Sequence, residues 1–264
     1  MSGSLRIALA GKGGAGKTTI SSTLARLLAR QGKRVLVIDG DSNPNVAVAL
    51  GIERERAAAL STLPVTLTSR RLNGSGLVMP VTDVVREHGI AGPDGVEVVQ
   101  MCMPAHADEG CMCSAHATVS GLLADAAHEQ DLVTILDLEA SPEHLSRGTT
   151  RHVDALLLIT EPYYRSLETT RRMAALAAEL PIPYLGVVAN KVRTTDDTAA
   201  ILEFCQRHEL AQAGEIPWSD AVTMADKLGV PVIDGDPDGP IVAAVSAVAA
   251  HLLALPPRER VDSH

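Results

Sequence analysis

The sequence predicts an α/β fold in which a doubly wound, mainly parallel sheet carries helices on both faces. Short aliphatic and β-branched runs alternate along the chain with longer helical patterns, an order typical of parallel strands joined by crossover helices. The runs are continuously apolar, as expected of strands that are buried on both faces. Aromatic residues make up only 2% of the 264 residues, so the core must be built from Val, Leu, Ile and Ala.

The individual elements follow from these patterns in chain order. Strands are predicted at residues 6–10, 35–39, 96–101, 132–137, 155–160 and 184–189. Helical patterns are predicted at Lys17–Gln31, Val119–His128, Leu167–Leu180 and Ala199–His208, and residues 241–255 form a further apolar pattern typical of a core helix. Between Glu53 and Gly95, the turn sequences NGSG and GPDG predict loops and short helices.

Length and charge limit the organisation of the chain and its partners. Residues 1–256 are predicted to form one domain, followed by a frayed C-terminal tail at 257–264. The net charge of -9 and the pI near 5.4 argue against nucleic acid and anionic membranes as partners, because both attract clustered Lys and Arg. No secretory signal pattern and no run of about 20 apolar residues is present, which predicts a cytoplasmic protein without a membrane partner.

The strongest motif is GKGGAGKTT, Gly11–Thr19, which satisfies G-x-x-x-x-G-K-[ST] between the first strand and the first helix. In this context backbone N–H groups at a helix N-terminus form a nest for the phosphates of ATP. Lys17 is predicted to meet the terminal phosphates, and the Thr18 hydroxyl is predicted to contact Mg²⁺. The domain is therefore predicted to be a P-loop ATPase, and the remaining cofactor-binding positions are Gly13, Gly14, Ala15, Gly16 and Thr19.

A second lysine in the loop, Lys12, resembles the deviant Walker A signature K-G-G-x-G-K-[ST] of the MinD/ParA/nitrogenase-iron-protein superfamily. The resemblance implies a homodimer in the ATP state, in which Lys12 reaches the partner's nucleotide. Such a lysine would act in trans as an arginine finger does, by stabilising the charge on the transferring phosphoryl group.

Carboxylates at strand ends form the next group of candidates. Acidic residues at the carboxyl end of a strand beside the P-loop lie where parallel sheets place their active sites. The stretch DGDSNPN (39–45) resembles switch I of the superfamily, which implies that Asp41 positions the attacking water and that Asp39 lies nearer the metal. Asp137, after an apolar run, is predicted to hold Mg²⁺ as the Walker B carboxylate. Members of the superfamily normally carry glycine at the position of Ser141, and Pro142 follows it here. Because proline lacks a backbone N–H and fixes φ, altered sensing of the γ-phosphate is predicted.

Two later stretches resemble the adenine-binding edges of the superfamily. VVANKV (187–192) ends a strand with an asparagine, and GEIPWSD (214–220) follows another strand. The resemblance implies that Asn190 reads the base and that Pro217 and Trp218 lie beside it. Asparagine also ends strands for local reasons.

The stretch EGCMCSAHA (109–117) places Cys111 and Cys113 one residue apart, with His106 and His116 nearby. In a reducing compartment, closely spaced cysteines are more often metal ligands or redox groups than structural disulfides, and a helix N-terminus favours the thiolate. Two thiolates are an incomplete site, because soft metals commonly take four donors. The implied two-fold dimer would bring a second pair to its axis. Four thiolates suit a soft metal such as Ni²⁺ or Zn²⁺, and they also suit a [4Fe–4S] cluster.

The chain resembles the CooC family of nickel-insertion ATPases, which mature carbon monoxide dehydrogenase. The matching stretches are the P-loop, DGDSNPN, GCMC, residues 137–173 and ANKV; Ser114-Ala115 departs from the family's usual Pro-Glu. The resemblance implies an ATP-dependent metallochaperone that delivers its metal to a recipient metalloenzyme. The alternatives are an iron–sulfur cluster carrier or reductase-like ATPase, and a MinD/ParA-like spatial regulator.

Overall fold

An eight-stranded sheet forms the centre of the fold, with the strand order β10-β9-β8-β1-β7-β2-β6-β5. The computed structural model describes residues 3–71, 74–101, 113–139, 145 and 148–256. The sheet strands are β1 Leu5–Gly11, β2 Arg34–Gly40, β5 Ile90–Ala91, β6 Glu97–Gln100, β7 Leu132–Leu138, β8 Ala155–Thr160, β9 Tyr184–Val192 and β10 Ala211–Pro217. A separate antiparallel hairpin consists of β3 Thr68–Arg71 and β4 Gly74–Leu77.

The sheet is parallel except at one edge, where β5 pairs antiparallel with β6. All six residues of β8 and all seven of β7 are buried, which agrees with their continuously apolar sequences. The predicted fold class, a doubly wound and mainly parallel α/β sheet, is therefore confirmed.

The described helices connect the strands and cover both faces. Side chains alternate between the two faces because successive residues of a strand point in opposite directions. In β1, Ala8 packs into one core and Ile7 and Leu9 pack into the other. The helices are α1 Lys17–Arg30, α2 Val46–Ala49, α3 Arg54–Ala58, α4 Val81–His88, α5 Cys113–Ala126, α6 Tyr164–Ala177, α7 Thr195–Arg207, α8 Asp220–Leu228, α9 Val232–Gly235 and α10 Pro240–Leu253.

Several predicted boundaries are wrong, and each error has a local cause. The helix predicted to begin at Val119 begins at Cys113, because small residues in its first two turns carry little helical periodicity. The strand expected before GEIPWSD was given no bounds, and β10 includes residues 214–217 of that stretch; its sequence AQAGEIP has few of the β-branched residues that mark strands. Gly74–Leu77 belongs to the hairpin and not to a loop. The predicted tail at 257–264 lies outside the described residues.

The helix α10 is the core helix that its apolar pattern predicted. Ile241, Val245, Val248 and Leu252 are buried against the sheet. Within the described part of the chain, no helix combines the length and the apolar character needed to cross a membrane.

Parallel strands all end at the same edge of the sheet, so the segments that follow β1, β2, β7, β8, β9 and β10 lie together there. The P-loop follows β1 between two neighbours, β7 and β8. The register pairs Asp39 of β2 directly with Asp137 of β7. The strand order therefore brings the candidate residues of distant sequence segments to one site.

Candidate nucleotide-binding site

The P-loop connects β1 to α1 through a turn that depends on glycine. Gly14 and Gly16 adopt left-handed backbone angles, with φ of 78° and 96°. Glycine adopts such angles without strain, whereas a Cβ atom adds cost. At Gly16 a Cβ would also collide with the side-chain amide of Asn190. The loop can therefore turn its backbone toward a ligand only with glycine at these positions.

Lys17 is buried inside this loop and is 6% exposed. Its Nζ donates a hydrogen bond to the carbonyl oxygen of Gly11 at 3.2 Å. Desolvation by burial lowers the pKa of Lys17, and the negative charges of Asp137 and Asp41 oppose that shift. The lysine is the one that the motif predicts beside the phosphates, and it lies within the field of the carboxylates.

The side chains of Thr18 and Asp137 form a candidate Mg²⁺ site. The Thr18 hydroxyl donates to Oδ2 of Asp137 at 2.6 Å. Asp137 is 1% exposed, and its Oδ1 atom is buried without a hydrogen-bond partner among the described residues. Burial is the largest cause that raises the pKa of Asp137 to about 7, with a further contribution from Asp39. A buried carboxylate oxygen and a hydroxyl fit Mg²⁺, which takes a few hard oxygen ligands beside substrate phosphates.

The Asp39 carboxylate holds the loop that follows β2. It accepts backbone N–H groups of Asn45 and Val46 at 2.9 Å and of Asp41 at 3.2 Å. Burial raises the pKa of Asp39 to about 6, although these hydrogen bonds act in the opposite direction. In this structure Asp39 therefore supports the loop that follows β2, and its contact with metal stays a prediction. Asp41 accepts the N–H of Asn43 at 2.8 Å, so its position is fixed by the same loop.

A cavity of about 370 Å³ opens beside the P-loop and matches the size of small-molecule sites. The amide nitrogen of Asn190 donates to the carbonyl oxygen of Ala15 at 2.6 Å, which joins the end of β9 to the P-loop. An asparagine amide also carries an acceptor oxygen, which suits the amino group of adenine. The predicted base-binding residues are thus brought together with the phosphate loop; the lining includes Gly14, Gly16, Thr19, Asn190, Pro217 and Trp218.

Trp218 is the only tryptophan of the chain and lines this cavity. The guanidinium carbon of Arg193 lies 3.8 Å from the centroid of the indole ring, a cation–π contact. We expect Mg-ATP to change the tryptophan emission, because the nucleotide would alter the surroundings of the indole ring. A fluorescence titration measures the change, with Mg²⁺ alone as the control. Constant emission at an ATP concentration that saturates the protein in equilibrium dialysis would contradict the assignment.

Lys12 contacts its own chain in a way that the sequence did not reveal. Its Nζ lies 3.1 Å from the hydroxyl of Tyr163, and Tyr163 donates to Glu161 at 2.7 Å. Lys191 forms an ion pair with Glu161 at 2.8 Å. Glu161 follows the buried strand β8 at the same sheet edge as the aspartates, so the strand-end argument could have identified it.

The described residues include only part of the candidate thiol site. Cys113 is the first residue of α5, is exposed, and is disulfide-bonded. Cys111, His106, Ser141 and Pro142 lie outside the described residues. Within the described ranges, no group of three or more His, Cys, Asp or Glu side chains is arranged to hold a metal ion.

One turn after Cys113, the buried His116 links α5 to the segment that follows β7. Its Nδ1 atom lies 3.0 Å from the hydroxyl oxygen of Thr149. Thr149 begins a short 3₁₀ helix, Thr149–His152, between β7 and β8. The start of α5 and the segment between β7 and β8 are therefore in direct contact.

Comparison with known proteins places this geometry in a family. The chain matches the CobQ/CobB/MinD/ParA nucleotide binding domain over residues 7–232. It is 35% identical, over 88% of its length and 91% of the relative's, to the carbon monoxide dehydrogenase accessory protein CooC of Rhodospirillum rubrum. It is 26% identical, over 92% of its length and 67% of the relative's, to an iron-sulfur cluster carrier protein of Deinococcus radiodurans.

The solved structures agree on the fold. The septum site-determining protein MinD of Pyrococcus horikoshii, complexed with Mg-ADP, superposes with a TM-score of 0.68 at 16% sequence identity. The superposition covers 93% of this chain and 94% of the MinD chain. At this level of identity the likeness shows the fold alone.

Proposed function

The chain belongs to the CobQ/CobB/MinD/ParA nucleotide-binding family and is a CooC-type ATPase, and from this premise we propose that it is an ATP-dependent metallochaperone. Its nucleotide-linked homodimer would bind a soft metal, with nickel as the cargo, through Cys111 and Cys113. The dimer would deliver that metal to an apo-enzyme such as carbon monoxide dehydrogenase in the cytoplasm. The observation that carries the proposal is the 35% identity to CooC over nearly the whole chain.

The hydrolysis step follows from the positions of charged groups around the P-loop. Backbone N–H groups of the loop and the Lys17 ammonium bind the phosphates. Thr18 and Asp137 would hold Mg²⁺, which would supply positive charge beside the transferring phosphoryl group. Asp41 would orient the attacking water, and Lys12 of the other subunit would stabilise the transition state. The assignments of these individual residues are part of the proposal.

The metal step depends on the reduced form of the thiol motif. A thiolate, and not a disulfide sulfur, is the ligand for a soft metal, so cargo binding requires reduction of the sulfur of Cys113. The start of a fourteen-residue helix stabilises a thiolate there through the helix dipole. Two cysteines from each subunit would give the four donors of a closed site.

Contacts at the start of α5 support coupling between the two sites. The hydrogen bond between His116 Nδ1 and the Thr149 hydroxyl joins the helix of Cys113 to the segment between β7 and β8. If ATP binding shifted that segment, the start of α5 and the thiol motif would therefore move with it. By linkage, a nucleotide that raises metal affinity must itself bind more tightly when metal is present, by the same factor.

The test removes both thiols while leaving the P-loop intact. Cys111→Ser/Cys113→Ser is expected to bind ATP as the parent does but to lose stoichiometric binding of Ni²⁺. In the reduced parent, a non-hydrolysable ATP analogue should raise Ni²⁺ affinity by about 5- to 150-fold, the usual range of allosteric coupling. Anaerobic equilibrium dialysis measures the affinity, and sedimentation measures metal-promoted dimerisation.

Cys205→Ala provides the matched control for this experiment. Cys205 is a free, buried cysteine in α7 that packs in the core, so its loss removes a thiol without touching the motif. This variant should keep the metal response of the parent. Metal-promoted dimerisation that survives in the double variant would contradict the proposal and point to His106, His116 or Cys102. Cys102 belongs to the stretch VVQMCMP, where the sequence otherwise predicts a small buried apolar residue.

An iron–sulfur cluster carrier is the second candidate, favoured by the relative from Deinococcus radiodurans. Four thiolates at a dimer axis also suit a [4Fe–4S] cluster. Analysis of protein purified anaerobically under reducing conditions separates the two functions. A bound cluster gives visible absorbance together with iron and sulfide, whereas nickel bound to thiolates contains neither iron nor sulfide. Stoichiometric iron and sulfide would favour the carrier.

A spatial regulator of the MinD/ParA type has less support. The likeness to MinD concerns the fold, and the net charge of -9 does not favour DNA or anionic lipid. A surface-binding helix needs an exposed apolar face, whereas Ile241, Val245, Val248 and Leu252 of α10 are buried in the core.

A further inference from the structure

A chain of polar contacts ties Lys12 to its own subunit. The Lys12 ammonium donates to the Tyr163 hydroxyl at 3.1 Å and lies 5.2 Å from the centroid of the same ring. The Tyr163 hydroxyl donates in turn to Oε2 of Glu161 at 2.7 Å. The phenol therefore accepts from a cation and donates to a carboxylate, and both hydrogen bonds are assisted by charge.

The carboxylate at the end of this chain is firmly placed. Glu161 is 8% exposed, and its backbone N–H donates to the Ser166 hydroxyl oxygen at 3.0 Å. Its second oxygen pairs with Lys191, whose Nζ also donates to the carbonyl oxygen of Gly14 at 2.6 Å. Lys191 reaches back to the P-loop from a left-handed backbone angle, with φ of 60°.

The strand order explains why these groups meet. Strand β8 lies between β1, which leads into the P-loop, and β9, which ends near Lys191. Glu161 follows β8 and therefore stands between the P-loop and the base-binding edge. Tyr163 comes two residues later, directly before α6, on the side of Lys12.

From this arrangement we infer that Tyr163 and Glu161 are positioning residues that hold Lys12 against its own subunit until the ATP-state dimer forms. The inference rests on the proposed function, in which Lys12 acts on the partner's nucleotide. One ammonium group cannot occupy both positions, so the contact with Tyr163 must be broken when Lys12 reaches across. The free energy of that contact is then subtracted from the free energy of dimerisation.

The contact therefore sets the protein concentration at which the dimer forms. Once the dimer exists, Lys12 has left Tyr163, and the rate of the chemical step does not depend on the phenol. A positioning role thus predicts a change in the dimerisation threshold without a change in the turnover number at saturating protein. A merely structural role of Tyr163 would not separate these two quantities.

The test is Tyr163→Phe, which keeps the ring and removes only the hydroxyl. With a non-hydrolysable ATP analogue, half-maximal dimerisation in sedimentation should move to about 10- to 100-fold lower protein concentration, because the variant lacks one hydrogen bond in each of the two subunits and each is worth about three- to tenfold. The turnover number at saturating protein should equal that of the parent. Tyr164→Phe is the matched control, because Tyr164 is adjacent and 79% exposed to solvent, and it should leave the threshold unchanged.

A second pair of variants distinguishes failure of this inference from failure of the proposed function. In the Lys12→Ala background, Tyr163→Phe should cause no further shift of dimerisation, because the group that the phenol holds is gone. An unchanged or higher threshold for Tyr163→Phe, or a shift that persists without Lys12, would overturn the positioning role. If Lys12→Ala alone hydrolyses ATP at the parental rate, the trans-acting role itself is wrong.

Discussion

The variant Lys12→Ala is expected to bind ATP nearly as well as the parent and to hydrolyse it about 10³-fold more slowly, the lower end of the effect of an arginine finger. Lys17→Ala is expected to lose measurable ATP binding. The two lysines differ because Lys17 is buried inside the phosphate loop, whereas Lys12 points away from it toward Tyr163. The emission of Trp218 measures binding, and phosphate release measures hydrolysis.

Lys33→Ala controls for the loss of one positive charge. Lys33 lies just before β2, at the amino edge of the sheet and therefore opposite to the site. It should show parental binding and hydrolysis. If Lys12→Ala lost ATP binding in parallel with hydrolysis, Lys12 would be a binding residue of its own subunit and the trans-acting assignment would be wrong.

The second large effect is expected for Asp137→Asn, which should lower Mg²⁺-dependent hydrolysis by about 100-fold, the scale seen when a group that supports a metal is lost. An amide cannot offer the negative oxygen that the buried Oδ1 position supplies. Excess Mg²⁺ should restore part of the rate, because the variant weakens metal binding. A titration of hydrolysis against Mg²⁺ at fixed ATP measures both effects.

Thermal unfolding without nucleotide separates this effect from misfolding. Burial raises the pKa of Asp137 to about 7, so the folded chain disfavours the charged carboxylate. Above the pKa of an unfolded aspartate, a neutral amide avoids that unfavourable burial, and Asp137→Asn should melt at or above the temperature of the parent. Parental hydrolysis at limiting Mg²⁺ would contradict the metal assignment.

The sequence predicts the sheet and the phosphate loop well because both depend on local signals. Buried parallel strands have continuous apolar runs, and the P-loop is a contiguous motif with fixed glycine positions. The approach of Asp39 to Asp137 was also foreseeable, because both end strands on the P-loop side of the sheet. The start of α5, strand β10 and the hairpin β3–β4 lack such signals and are decided by packing.

The contacts of Lys12 within its own subunit could not be predicted from the sequence, for a different reason. The motif predicts where the lysine is needed in the active dimer, but its partner in a single subunit, Tyr163, lies between β8 and α6 and is 151 positions away in the sequence. Tyr163 and Glu161 belong to residues 137–173, which match the CooC family, but the sequence assigns neither residue a role. Asp39 shows the converse case, since a predicted neighbour of the metal also accepts three backbone N–H groups of its own loop.

The left-handed backbone of Lys191 carries a lasting conformational cost. A non-glycine residue at such an angle costs on the order of 1 kcal/mol. Glycine at this position would relieve the strain but would remove the ammonium that joins Gly14 to Glu161. Lys191 therefore lowers the thermodynamic stability of the fold but places a cation beside the P-loop, a compromise between stability and activity. Selection for heat resistance alone would be expected to replace this lysine.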